Sequence, residues 1–132
     1  MAKELRVILG DQLNHHHSWY EEKSDDVVYL MMECYSETNY VRHHIQKVIG
    51  FFLAMRNFSE ILHSEGHQVI YLTLNDPNNQ QSIAGNIKFL QEHHQFEQVA
   101  YQLPDEYRLD QVFENLKTTL EMSSCNIYKY LE

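Results

Sequence analysis

The sequence predicts an α/β domain: an open parallel sheet of about five strands with helices on both faces. Short, near-continuous apolar runs recur along the 132 residues, and segments with helical period lie between most of them. Strands buried on both faces read as unbroken apolar runs rather than as alternating ones. Strand and helix in alternation imply right-handed crossovers between parallel neighbours.

Glu4 to Leu9 is expected as the first strand because it is rich in branched residues. The connection from Asn14 to Asp26 carries His15, His16, His17, Trp19, Tyr20 and four acids without a sustained apolar period, and it reads as a long surface loop with room for a short helix. Val27 to Met32 is the second strand. The clearest helix follows, about Tyr40 to Ser64, with Val41, Ile45, Val48, Phe52, Met55 and Leu62 on one face. Thr38 or Asn39 suits its N-cap, and Gly66 follows its end. Gln68 to Leu74 is the third strand. Ser82 to His94 is a helix that turns Ile83, Ile87 and Leu90 inward, and Gln98 to Gln102 is the fourth strand. A third helix, about Leu109 to Leu120, follows Pro104, and Asn126 to Leu131 is a weaker fifth strand. No repeat, low-complexity tract or linker composition interrupts this order, so residues 1–132 are read as one domain.

Composition narrows the function. A hydrophobic content of 43% suits a globular domain, and a chain of this length buries roughly two thirds of its unfolded surface. The formal charge of -9, with ten basic residues against nineteen acidic ones, opposes a phosphate backbone and argues against direct nucleic-acid binding. Cys34 and Cys125 form no C-x-x-C pair, so neither a disulfide framework nor a zinc or iron-sulfur ligand set is indicated. The expected setting is cytoplasmic, since no apolar run approaches the ~18 residues of a membrane span and no signal-peptide order stands at the N-terminus.

In a parallel sheet, ligands bind outside the carboxyl ends of the strands. Two polar segments fall there: Gly10-Asp11-Gln12-Leu13 after the first strand, and Glu33 with Glu37 to His44 after the second. The first has one glycine and an acid where a dinucleotide loop needs G-x-G-x-x-G, so NAD, FAD or ATP at this turn is disfavoured; a tight turn with a structural aspartate is the plain alternative. Glu37 and Tyr40 are three apart, and share a helix side if the helix already includes Glu37. A carboxylate accepts from ring N-H groups and a tyrosine stacks on a ring, which suits a flat heterocycle. Glu37 also has an ordinary role, favouring a helix N-terminus by about 0.3 to 1 kcal/mol.

Other chemistry is weakly signalled. The paired histidines His43-His44 and His93-His94 point to different helix faces, and Gly66 separates His63 from His67, so a metal site is not expected. No G-x-S-x-G elbow accompanies the serines. Pro104 to Asp110 reaches the crevice side, where helix capping and an Arg108 ion pair explain its residues.

Six ordered segments carry a resemblance. Leu5 to Leu13, Met31-Met32-Glu33 with Glu37 and Tyr40 to His44, Ala54 to Phe58, Gly66 to Tyr71, Asp76 to Asn79 and Pro104 to Leu109 together look like the N-terminal domain of the deoxyribodipyrimidine photolyase-related proteins. These are the iron-sulfur bacterial cryptochromes and (6-4) photolyases. The resemblance implies a Rossmann-like antenna domain, followed in the family by a helical domain that holds FAD, a 4Fe-4S cluster and the DNA lesion. That helical part is expected to be missing from this chain, which would then be inactive alone while its parent is a light-dependent DNA lyase or a blue-light sensor.

The antenna that the family implies is 6,7-dimethyl-8-ribityllumazine. Carried over by position, its pocket comprises Gly10, Asp11, Gln12, Leu13, Met32, Glu33, Glu37 and Tyr40. Glu37 would accept from the polar ring edge, Tyr40 would wall the ring, and Asp11 or Gln12 would meet the ribityl hydroxyls. The implied partners are the chromophore and the protein's own C-terminal helical domain. The competing reading is a ligand-free module that only docks that domain.

Overall fold

Branched and aromatic residues concentrate in five segments, and all five pair in register. The structure, a computed structural model, describes residues 4–9, 13, 18–21, 26–33, 45–94, 96–102, 111–112, 114–115 and 126–130. The strands are β1 (Glu4–Val7), β2 (Val27–Met32), β3 (Gln68–Leu72), β4 (Gln98–Gln102) and β5 (Asn126–Tyr130). They form a parallel sheet in the order β3-β2-β1-β4-β5. The α/β, Rossmann-like class expected from the sequence is the observed one. Helix α1 (Ile45–Ser64) joins β2 to β3, and α2 (Ile83–His94) joins β3 to β4. Residues 111, 112, 114 and 115 are helical, within the span expected for the third helix.

Strand alternation sends successive side chains to opposite faces. Leu5, Val7, Leu30, Met32, Leu72, Val99 and Tyr101 pack with Ile83, Ile87, Leu90 and Phe96 of the α2 side. Ile8, Tyr29, Met31 and Ala100 pack with Met55, Phe58 and Leu62 of α1. Both faces are therefore covered, which is why the central strands tolerate unbroken apolar sequence.

The helices end where their chemistry dictates. Gly66 has φ 96°, a left-handed conformation that costs glycine nothing. It lets Gly66 N-H bond the His63 carbonyl at 3.0 Å and His67 N-H bond the Leu62 carbonyl at 3.0 Å, closing α1. Ser82 caps α2, its Oγ accepting from Gly85 N-H at 2.9 Å. A Cβ at residue 85 would lie 2.7 Å from that Oγ, so the cap also explains the glycine.

The first connection holds a short helical turn, but it is buried rather than on the surface. Ser18–Tyr20 forms a single 3-10 turn, and Trp19 and Tyr20 are buried at 4% and 8% exposure. Their rings close over β2: Tyr20 lies 5.3 Å from Tyr29 and 5.7 Å from Phe58, edge-on to the latter. Tyr29 Oη donates to the Trp19 carbonyl at 2.7 Å. Burial of such rings stabilises by about 1.5 to 3 kcal/mol each, enough to fold a segment with no helical period onto the sheet. Among the described residues no helix is long and apolar enough to cross a membrane.

Candidate functional site

The strand order reverses between β1 and β4: the chain steps outward from β1 to β2 to β3, then crosses back to β4 on the other side. The carboxyl ends of these two strands flank the crevice that such a reversal creates. Ile8 and Leu9 follow β1 into it, both buried, and Leu13 returns half-buried against the α1-side cluster. Gly10, Asp11, Gln12, Glu37 and Tyr40, five of the eight residues expected to form the site, lie outside the described residues.

Glu33 is the polar centre of the described part. It stands directly after β2 and is completely buried. Arg56 of α1 grips it with two bonds, Nε to Oε2 at 2.6 Å and Nη2 to Oε1 at 2.9 Å. Tyr71 of β3 donates its hydroxyl to Oε2 at 2.6 Å, and Leu74 N-H donates to Oε1 at 3.0 Å. Burial alone would push this carboxyl up, but the bonds from Arg56, Tyr71 and Leu74 outweigh it and hold the group below its ordinary value. The Arg56 pKa is raised first by its bond to Glu33, and Tyr71 by burial and by the adjoining carboxylate. Glu33 is thus an anion at neutral pH whose acceptor sites already face protein donors.

The backbone at the same point is also tied down. Asn79 Nδ2 donates to the Glu33 carbonyl at 2.6 Å and to the Thr73 carbonyl at 2.9 Å. Asn79 Oδ1 accepts from Asn86 Nδ2 at 3.1 Å and from Gln81 N-H at 2.8 Å. Asn86 Nδ2 also lies 3.2 Å from Met32 Sδ, and Asn86 Oδ1 accepts Gln80 N-H at 2.7 Å. Met32 is therefore buried on the α2 face beside a polar cluster. The chain after β3 is fixed to the chain after β2 through two asparagines.

Of the expected site residues that are described, Leu13 packs half-buried against the α1-side cluster, and Met32 and Glu33 are engaged by contacts within the protein. Arg56, Tyr71, Asn79 and Asn86 were not singled out as functional. A signal existed for Arg56: an acid at the end of a buried strand needs a cation, and α1 offers Lys47 and Arg56 besides His63. No comparable signal marks the asparagines, whose partners are main-chain groups far away in sequence.

A second ionic centre lies under the 3-10 turn. Arg6 bonds Glu4 through Nε, donates from Nη1 to Tyr29 Oη at 3.2 Å, and sits 5.3 Å from the Trp19 ring centroid. Burial opposes the charge of Arg6, yet Glu4 and Tyr29 together raise its pKa. Among the described residues no cluster of three or more His, Cys, Asp or Glu side chains could hold a metal ion.

The family model described as deoxyribodipyrimidine photo-lyase-related protein matches residues 6–130. The chain is 37% identical over 87 residues to a (6-4) photolyase of Agrobacterium fabrum (strain C58 / ATCC 33970). That alignment covers 64% of this chain and 17% of the relative, so the chain spans a small part of the relative's length.

Proposed function

Because the chain belongs to the family of deoxyribodipyrimidine photo-lyase-related proteins, we propose that it is the antenna-chromophore-binding domain of a light-driven flavoprotein that repairs DNA or senses blue light. The observation that carries this reading is the position of the strand-order reversal beside Ile8 and Leu9, which directly follow β1. The segments after β1 and β2, to which the resemblance assigns the pocket, leave the sheet at or next to it.

The described residues redirect one part of the expectation. Glu33 has its carboxylate taken by Arg56, Tyr71 and Leu74, so a ring N-H would look to Glu37. Gly10, Asp11 and Gln12 would then face the ribityl chain, and Tyr40 the ring. When bound, 6,7-dimethyl-8-ribityllumazine supplies blue-light absorption and excitation transfer to a flavin. The protein's part is to orient the ring and exclude water.

FAD and a 4Fe-4S cluster belong, in this reading, to a helical domain outside this sequence. Ile49 and Leu53, 51% and 56% exposed and one turn apart on α1, support contact with such a domain. The -9 charge supports leaving DNA to that partner, and a cytoplasmic setting accompanies the reading. Titration of the lumazine with the purified chain, followed by fluorescence polarisation, is the test. Saturable uptake is expected; a dye that keeps tumbling freely favours a docking module without a chromophore.

A further inference from the structure

The amino end of β3 borders a cavity of about 580 Å³ lined in part by Val28, His67, Gln68, Val69, Ile70 and Phe96. It lies at the end of the sheet opposite the crevice, and it opens along an edge strand, since β3 is outermost in the order β3-β2-β1-β4-β5. The phase of the ladder is set by Glu33 N-H, which bonds the Leu72 carbonyl at 2.9 Å. Parallel strands turn the main-chain groups of alternate residues to the same side. Gln68, Ile70 and Leu72 therefore address β2, and Val69 and Tyr71 turn their N-H and C=O groups outward, where no described residue bonds them.

Edge strands are ordinarily guarded by charge, proline or a covering segment. From Gly66 to Asn75 this chain has no Asp, Glu, Lys, Arg or Pro. By contrast β5, at the opposite edge, carries Lys129. A chain of charge -9 repels its own copies over most of its surface, so an uncharged strip is where two copies approach at least electrostatic cost. Val69, Ile70 and Tyr71 are each partly exposed along it.

We propose that β3 is a self-association edge, pairing antiparallel with β3 of a second copy about a two-fold axis at Ile70. In that register Val69 exchanges both main-chain bonds with the partner's Tyr71, and Tyr71 both with the partner's Val69. Every outward donor and acceptor of the two residues is satisfied, and the two sheets become one.

Sedimentation velocity up to millimolar concentration, with hydrogen exchange of the Val69 and Tyr71 amides, tests this. The expected result is a dimer in which both amides are slowed relative to dilute protein. Val69→Pro removes an outward donor that β2 does not use, which an edge strand tolerates; it should give a monomer with unchanged circular dichroism. Ile70→Lys leaves the main chain intact, lets its stem cover the same surface and sets like charges opposite each other, so it should dissociate the dimer even if the proline variant fails to fold. A wild-type chain monomeric throughout, a dimer whose Val69 and Tyr71 amides exchange freely, or an Ile70→Lys dimer as tight as wild type would each overturn the proposal.

Discussion

The two faces of the sheet are held by different physics. On the α2 face, Leu5, Val7, Leu30, Ile87, Leu90 and Val99 form a largely aliphatic layer. On the α1 face, apolar contacts are interleaved with ionised groups: Arg6 beneath Trp19 and Tyr29, and Glu33 with Arg56 and Tyr71 at the carboxyl end. Hydrophobic contact is non-directional and sets how much is buried. Charged, hydrogen-bonded contacts set where the elements stop relative to one another. The α1 face thus fixes the positions of α1 and β3 relative to Glu33 at the end of β2.

The largest loss of stability is expected at Glu33. Replacing Glu33 by Ala leaves Tyr71 Oη, Leu74 N-H and Arg56 without their acceptor; Arg56 is half exposed, so water takes over its charge, but each lost bond to a charged group costs about 1.5 to 3 kcal/mol. Urea denaturation at neutral pH should show a loss of that order. On the opposite face, Ile87→Ala should cost about 2 to 5 kcal/mol through lost burial and a residual cavity. Ile87 is fully buried, so a loss below 1 kcal/mol would mean that the α2 face repacks freely.

The faces should also differ in their response to acid. The Glu33 pKa is lowered in the folded protein; its contribution is therefore complete above the unfolded carboxylate range and is lost as pH falls through the lower, folded value. Wild type minus Glu33→Gln stability should shrink on acidification, whereas wild type minus Ile87→Ala should stay level. Parallel acid limbs for wild type and Glu33→Gln would show that the carboxylate is not held in its anionic form. The smallest effect is expected at Tyr71→Phe, which removes one donor from a carboxylate that keeps three other bonds. A loss of about 1.5 to 3 kcal/mol is the upper range for a bond to a charged group, and the remaining donors should place it at the lower end.

How much of this was legible in the sequence follows the same division. The aliphatic strands were readable because burial on both faces leaves unbroken apolar runs, and β2 and β4 span the residues expected of them. β3 stops at Leu72 rather than Leu74 because Leu74 N-H turns to Glu33 instead of continuing the strand. α2 starts at Ile83, with the expected first residue, Ser82, serving as its cap. The short helical turn at Ser18–Tyr20 fits the room for a short helix in the first connection, but the burial of Trp19 and Tyr20 does not fit a surface loop, because a 3-10 turn has no period to show which side faces the core. Glu33 was legible as a polar residue at a strand end, but not as a saturated one. Its partners Arg56, Tyr71 and Leu74 stand 23, 38 and 41 residues away, and only the fold brings them together.

In the proposed function the segment beyond Glu33 meets a chromophore while Glu33 itself serves the scaffold. Lumazine titration of wild type, Glu37→Gln and Glu60→Gln tests it most directly, Glu60 being exposed on α1. Loss of a charge-assisted bond should cost Glu37→Gln about 1.5 to 3 kcal/mol, roughly ten-fold to a hundred-fold in affinity, with Glu60→Gln unchanged. Equal affinities for all three proteins, or no binding by wild type, would contradict the account.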